Sequence, residues 1–177
     1  DADGNEIVSF DSDRPDDEKE RAGNRYTTAK AGMNTFQWDM RGATGPKMTG
    51  TDFHGRPAGP LALPGNYQAT LTVGDWSMTQ PFALVKDPRV TTSDEDLAEQ
   101  FDLMSKIQTK LSQTATAVNT IRALRTQLEG WAKRLDGEDA AADMIAAAEA
   151  FSERLTEFEN ELVQVEFTSE GDSLNHL

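Results

Sequence analysis

Apolar and polar side chains alternate most clearly over residues 32–42, GMNTFQWDMRG. Phe36, Trp38 and Met40 fall on one side of an extended chain and Thr35, Gln37 and Asp39 on the other, the period of two of a half-buried strand. That pattern predicts a core strand. Residues 65–74 alternate in the same way, with Tyr67, Ala69, Leu71 and Val73 facing one way and Gln68, Thr70 and Thr72 the other. Gly74 and Asp75 read as a turn, and Trp76, Met78, Phe82 and Leu84 supply the returning strand, with Gln80 and Pro81 marking an irregularity or an edge. Such a hairpin needs a second layer. The strand carrying Trp38 is its expected donor, giving a small antiparallel sandwich.

Beyond residue 90 the period changes to three and four. Ser93 followed by Asp96 resembles a capping box with Asp in place of Glu, and Asp94 and Glu95 put negative charge at the positive end of the helix dipole. Leu97, Phe101, Met104, Ile107, Leu111, Ala115, Val118, Ile121, Leu124 and Leu128 then form one stripe. They predict an amphipathic helix about 50 Å long at about 1.5 Å per residue. Gly130 and the Asp136, Gly137 pair are the places where it is expected to weaken and end. A second helix is expected over residues 138–165, with Ile145, Ala148, Phe151, Leu155, Phe158, Leu162 and Val165 as its stripe and Glu153, Arg154, Glu157 and Glu159 on a solvated face.

Two such helices make a hairpin of coiled-coil character that buries only one face of each. Gly171, followed by Ser173, Leu174, Asn175 and Leu177, reads as the start of a third helix cut short. The helices are therefore expected either to lean on the sheet domain or to share their stripe with another copy of the chain.

The remaining segments read as loops. Residues 1–5, DADGN, form the turn of a hairpin whose returning strand is residues 6–10. The competing reading is a calcium loop, because Asp1, Asp3 and Asn5 alternate like its first ligands. Gly4 is misplaced for that geometry, and Ser12 stands where a bidentate Glu is required, so the turn is preferred. Residues 11–31 are dense in charge and poor in apolar side chains, which predicts an exposed acidic loop. Residues 43–64 carry Gly45, Pro46, Gly50, Gly55, Pro57, Gly59, Pro60 and Pro64 and can be neither helix nor central strand. Within that long loop Asp52, Phe53, His54 and Arg56 are the candidate interaction surface.

Composition narrows the chemistry. The chain of 177 residues carries a formal net charge of −14, with a sequence pI near 4.4, so nucleic acid and anionic lipid surfaces are repelled. Cysteine is absent, which removes disulfides, thiolate metal sites and thiol nucleophiles together. No apolar run approaches the roughly 20 residues of a membrane span, so no membrane insertion is expected. The opening DADGN, without an initiating Met or a signal segment, reads as part of something longer whose targeting signal lies elsewhere. One His beside one Asp falls short of a metal site, and Asp39 lacks a partner carboxylate at a defined spacing. Trp38 needs a partner for its indole N–H, and Asp39 is placed to accept backbone N–H groups of the following loop as an Asx turn does. No catalytic, cofactor-binding or metal-ligating residues are assigned, and no cofactor is implied.

The order AGMNTFQWDMRG, a Gly- and Pro-rich loop, then GPLALPGNYQATLTVGDWSMTQPFALVKDPRV resembles a known module. It is the immunoglobulin-like module, of the type also found in flagellar hook-capping proteins, that follows the β-propeller in bacterial sortilin-like (BNR/Asp-box) proteins often labelled glycosyl hydrolases. The matching positions are Gly32, Asn34, Phe36, Trp38, Asp39, Pro64, Gly65 and Tyr67. The stretch TTSDEDLAEQFDLMSKI is also similar to the segment on the C-terminal side of that module.

The resemblance implies an α+β chain of segregated domains, an Ig-like β-sandwich over residues 1–90 and a long α-helical hairpin over residues 91–177. It implies a C-terminal accessory region of a large exported protein, with an upstream propeller as partner and the Asp-box repeats and glycosidase carboxylates lying in that propeller. The first expectation is thus a non-enzymatic brace or protein-docking element. The second is a carbohydrate-binding module that stacks sugar on Trp76, Tyr67 or Phe53. The third, an independent hydrolase, lacks a convergent nucleophile or carboxylate pair.

Overall fold

The computed structural model describes residues 1–13, 16, 26–49 and 58–163. The chain is a mixed α+β protein. In order it forms β1 (Gly65–Val73), β2 (Trp76–Leu84), α1 (Asp94–Leu135), a short 3₁₀ turn (Asp139–Ala141) and α2 (Ala142–Leu162). Its contacts divide it into two compact units, Asp1–Gly45 with Pro57–Thr109, and Pro46–Arg56 with Lys110–Leu177. The change from strand to helix near residue 90 is a change of local structure, whereas the early turns of α1 make their contacts in the first unit.

In the first unit β1 and β2 pair antiparallel without a break, from Gly65 opposite Leu84 to Val73 opposite Trp76. Gly74 sits at φ +57° and Asp75 is not left-handed, the sign pattern of a type II′ turn, whose twist matches that of the flanking strands. Counting back from the closing Val73–Trp76 pair, every second pair exchanges backbone hydrogen bonds. Pro81, opposite Gln68, falls on a pair that does not, so its missing N–H costs the ladder nothing. The expected irregularity is therefore absent and Pro81 simply lies on an edge strand. The register puts Tyr67, Leu71, Val73, Trp76, Met78 and Phe82 on one face. Thr70 and Thr79 meet across the other, their hydroxyls 2.9 Å apart.

The layer over that face is irregular. Neither residues 6–10 nor residues 32–42 form a ladder, and among the described residues the one bridge outside the hairpin joins Arg41 to Leu61. The expected core strand finds no ladder along its length, and at Met40 the chain takes φ +61°, a left-handed conformation that ends the two-residue alternation. Backbone bonds still tie the segments, from Gly42 N to Pro60 O (3.0 Å), Ala43 N to Ile7 O (3.1 Å) and Ala62 N to Met40 O (2.7 Å). Phe10 and Phe36 pack with ring centres 4.5 Å apart. The opening segment is a closed turn, in which Asp1 Oδ1 accepts from Asp3 N and Asn5 N; the turn is as expected, but residues 6–10 do not form the returning strand of a hairpin.

α1 begins as expected. Ser93 Oγ accepts from Asp96 N at 3.0 Å, and Asp94, Glu95 and Asp96 fill its first turn. The helix continues through Gly130 for 42 residues, roughly 60 Å, and stops just before the Asp136, Gly137 pair. In the second unit α2 returns against α1. The buried side chains there are Ala115, Val118 and Ile121 of α1, Ala141, and Leu155 and Glu159 of α2. The α1 stripe meets this seam, with Ala115, Val118 and Ile121 buried as its spacing predicts, whereas the α2 stripe is rotated: Leu155 is buried, but Ser152 and Thr156 are half-buried while Phe151 and Phe158 stay largely exposed.

A Cβ placed on Gly59 would fall inside van der Waals contact with the Gly42 backbone and 2.8 Å from Ala43 O. Because the obstacle is backbone and cannot rotate away, Gly59→Ala is expected to lower stability by about 1–3 kcal/mol. Denaturant unfolding of the two proteins, monitored by circular dichroism, measures the difference.

Candidate functional site

The Trp38 turn is held by side-chain bonds to its own backbone. Trp38 Nε1 donates to Arg41 O at 2.8 Å, and Arg41 N donates to Asp39 Oδ1 at 3.2 Å, the Asx turn that the sequence predicts. The ring of Trp38 stands edge-on to Tyr67 (6.1 Å, 63°) and Phe82 (6.3 Å, 83°), which stack on each other at 5.8 Å. Tyr67 Oη donates to Leu63 O at 2.7 Å, and burial raises its phenol pKa above the ordinary value. Both polar groups of the Trp-Asp pair thus bind this chain's own backbone. Trp38 covers only the end of the hairpin far from its turn. Leu71, Val73, Trp76 and Met78 at the other end remain at least half exposed.

Beside the Trp38 turn lies a groove of about 520 Å³, lined by residues of the 40–41, 60–64 and 84–90 segments and the start of α1. Met40, Leu61, Val85, Phe101 and Met104 make it apolar, and Lys86 and Asp87 stand among its lining residues. Lys86 Nζ is held by Asp94 Oδ1 and Thr92 O, both at 2.9 Å. Among the described residues Asp87 is the one carboxylate of the lining, and it grips Arg89 through Nη2 (2.5 Å) and Nε (3.0 Å). Among the described residues the groove therefore presents apolar surface, with Arg41, Lys86 and Asp87 each bonded to other groups of the chain, a lining suited to apolar contact.

The second unit contains a cluster that sequence reasoning missed. Glu159, expected on a solvated face, is 2% exposed. Its Oε1 accepts from Arg122 Nε at 2.5 Å and its Oε2 from Arg125 Nη1 at 2.8 Å. A carboxylate in that position needs both cations, since an uncompensated buried charge is costly. Arg125 Nε is buried without a hydrogen-bond partner among the described residues. Arg122 Nη1 also donates to Thr49 O. Asn119 completes the contact with that strand of loop, donating to Lys47 O (2.8 Å) and accepting from Thr49 N and Oγ1 (both 2.9 Å). The signal available in the sequence is the i, i+3 spacing of Arg122 and Arg125, which by itself does not name Glu159.

The candidate surface residues Asp52, Phe53, His54 and Arg56 lie outside the described residues. Of the three aromatics considered for sugar stacking, Tyr67 is packed in the Trp38 cluster, Trp76 is 50% exposed, and Phe53 lies outside the described residues. Among the described residues no group of three or more His, Cys, Asp or Glu side chains is arranged to hold a metal ion, and no helix is long and apolar enough to cross a membrane. Searches of protein-family models, curated proteins and solved structures find no match to this chain.

Two outcomes are expected. Glu159→Gln leaves two guanidiniums facing a neutral amide and should cost about 3 kcal/mol, the low end for breaking a buried pair because both arginines keep some water contact; equilibrium unfolding measures it. The Arg89 side chain, and then its backbone N–H, hold the Asp87 carboxyl below the ordinary carboxylate value. A lowered folded-state pKa stabilises above the unfolded pKa, and that contribution is lost as pH falls through the folded pKa. Arg89→Ala should move the Asp87 midpoint, followed by carbonyl-detected NMR, upward but only part of the way to the usual range, because the backbone N–H of residue 89 still donates to it.

Proposed function

We propose that this chain is a non-catalytic accessory module, an Ig-like sheet domain with a helical hairpin, that braces or docks a β-propeller in the C-terminal region of a large exported protein. The observation that carries this reading is the use made of Trp38 and Asp39. Their polar groups bond to Arg41 of the same turn, so the signature motif acts as a core anchor and a loop brace. The sandwich belongs to this proposal: the two-stranded sheet has one apolar face, and Trp38 covers only part of it. The open end around Leu71, Val73 and Met78 is suited to further strands or to a docking partner.

One observation favours a second reading. Trp76 is half exposed on that open end, and an accessible indole face is what a carbohydrate-binding module uses to stack sugar. The two readings separate on the purified chain. Under the first, aryl glycosides of common configurations are not turned over and a glycan array shows no specific signal. Binding that disappears in Trp76→Ala would establish the second reading, and turnover would overturn both.

A further inference from the structure

In the second unit the largest apolar side chains are outside the seam. Met144, Phe151 and Phe158 recur every seven residues along α2, with Leu162 one turn further, and all four are more than two-fifths exposed. At about 100° per residue their line is displaced by roughly 55° from the inward line through Ala148, Leu155 and Glu159. On α1, Leu124 and Trp131 are displaced to one side of Val118 and Arg125 and are 37% and 55% exposed. The helices are both right-handed, and the short 136–141 connection reverses the chain, so the two displacements fall on the same face of the pair. Arg122 meets Glu159 across 37 residues of sequence. With that register, Leu124 lies close to level with Phe158, and Trp131 with Phe151.

The charges of the two helices are opposed. With the Arg122, Arg125 and Glu159 cluster set aside, residues 110–135 of α1 keep Lys110, Lys133 and Arg134 against Glu129. α2 keeps Asp143, Glu149, Glu153, Glu157 and Glu161 against Arg154. Of these, Lys110 and Arg134 fall beside the line of Leu124 and Trp131, and Asp143 and Glu161, with Arg154, beside the line of Phe151 and Phe158, whereas Glu129, Lys133, Glu149 and Glu153 lie on the far side of their helices; the apolar face is thus bordered by net positive charge on α1 and net negative charge on α2. Such a face is complementary to itself when a two-fold axis parallel to the helices sets the α2 of each copy on the α1 of the other.

We propose that this face is a homodimer interface, in which two helical hairpins form a four-helix bundle with Phe151, Phe158, Leu124 and Trp131 in its shared core. Charge selects the arrangement, because the alternative two-fold would set α2 against α2 and its acids against each other. It also favours a second copy over a foreign segment, since a copy supplies both the basic and the acidic border at once.

The test uses the full chain. Light scattering coupled to size exclusion should give twice the 19.4 kDa chain mass. The double variant Phe151→Lys, Phe158→Lys should weaken association by about a hundredfold or more, as loss of two interface aromatics does, with helical circular dichroism unchanged. Because the chain has no cysteine, chains carrying Leu124→Cys and Phe158→Cys can be mixed and oxidised. The mixture should crosslink more than either alone. A monomeric chain, a dimer indifferent to the double variant, or crosslinking no greater in the mixture overturns the proposal.

Discussion

A two-stranded hairpin and a pair of helices each have one apolar face, and neither is stable in water until something covers it. That constraint governs both units of this protein. In the first, the cover comes from Trp38, whose ring stands edge-on to Tyr67 and Phe82 while its N–H is satisfied by Arg41 O. Burying an indole without that bond would cost most of what its area contributes. The cover stops short of the hairpin's turn, and the exposure of Leu71, Val73, Trp76 and Met78 results from that.

The left-handed Met40 belongs to the same solution. A bulky residue at φ +61° stores on the order of 1–2 kcal/mol of strain, and it persists because its neighbours over-determine it. Asp39 holds Arg41 N, Trp38 holds Arg41 O, and Met40 O accepts from Ala62 N. The chain turns there, out of the layer over the hairpin and into the segment pairing with residues 60–62. The groove lined by Met40, Leu61 and Phe101 is a consequence of that turn.

In the second unit the seam is thin, made of Ala115, Val118, Ile121, Ala141 and Leu155, and a charge sits in it. Glu159 between Arg122 and Arg125 adds little net stability compared with well-packed apolar groups, but it ties one register of the two helices to a low-energy state. The same arginine reaches Thr49 O, so the second helix, the first helix and the Lys47 to Thr49 stretch share one network. The larger apolar residues are left outside that seam, which is why the face carrying Phe151 and Phe158 is open.

Local chemistry in the sequence was enough for the strands at 65–73 and 76–84, the Gly74 turn, the Ser93 cap, the Asx turn at Asp39, the Asp1 turn and the end of α1 before Gly137. Each is set by residues within a few positions of one another, through backbone conformation or a short-range hydrogen bond. The alternation at 32–42 misled at Met40 because periodicity records which side chains are apolar, not whether the backbone can stay extended. The stripe of α2 misled by part of a turn for a related reason: which line of a helix is buried depends on what it meets. Only the tertiary structure could put Glu159 inside, since Arg122 and Arg125 lie 37 and 34 residues away and reach it only when the helices fold back. The sequence by itself determined where this chain bends, caps and alternates; the packing of one element on another decided which of its faces are buried and which stay open.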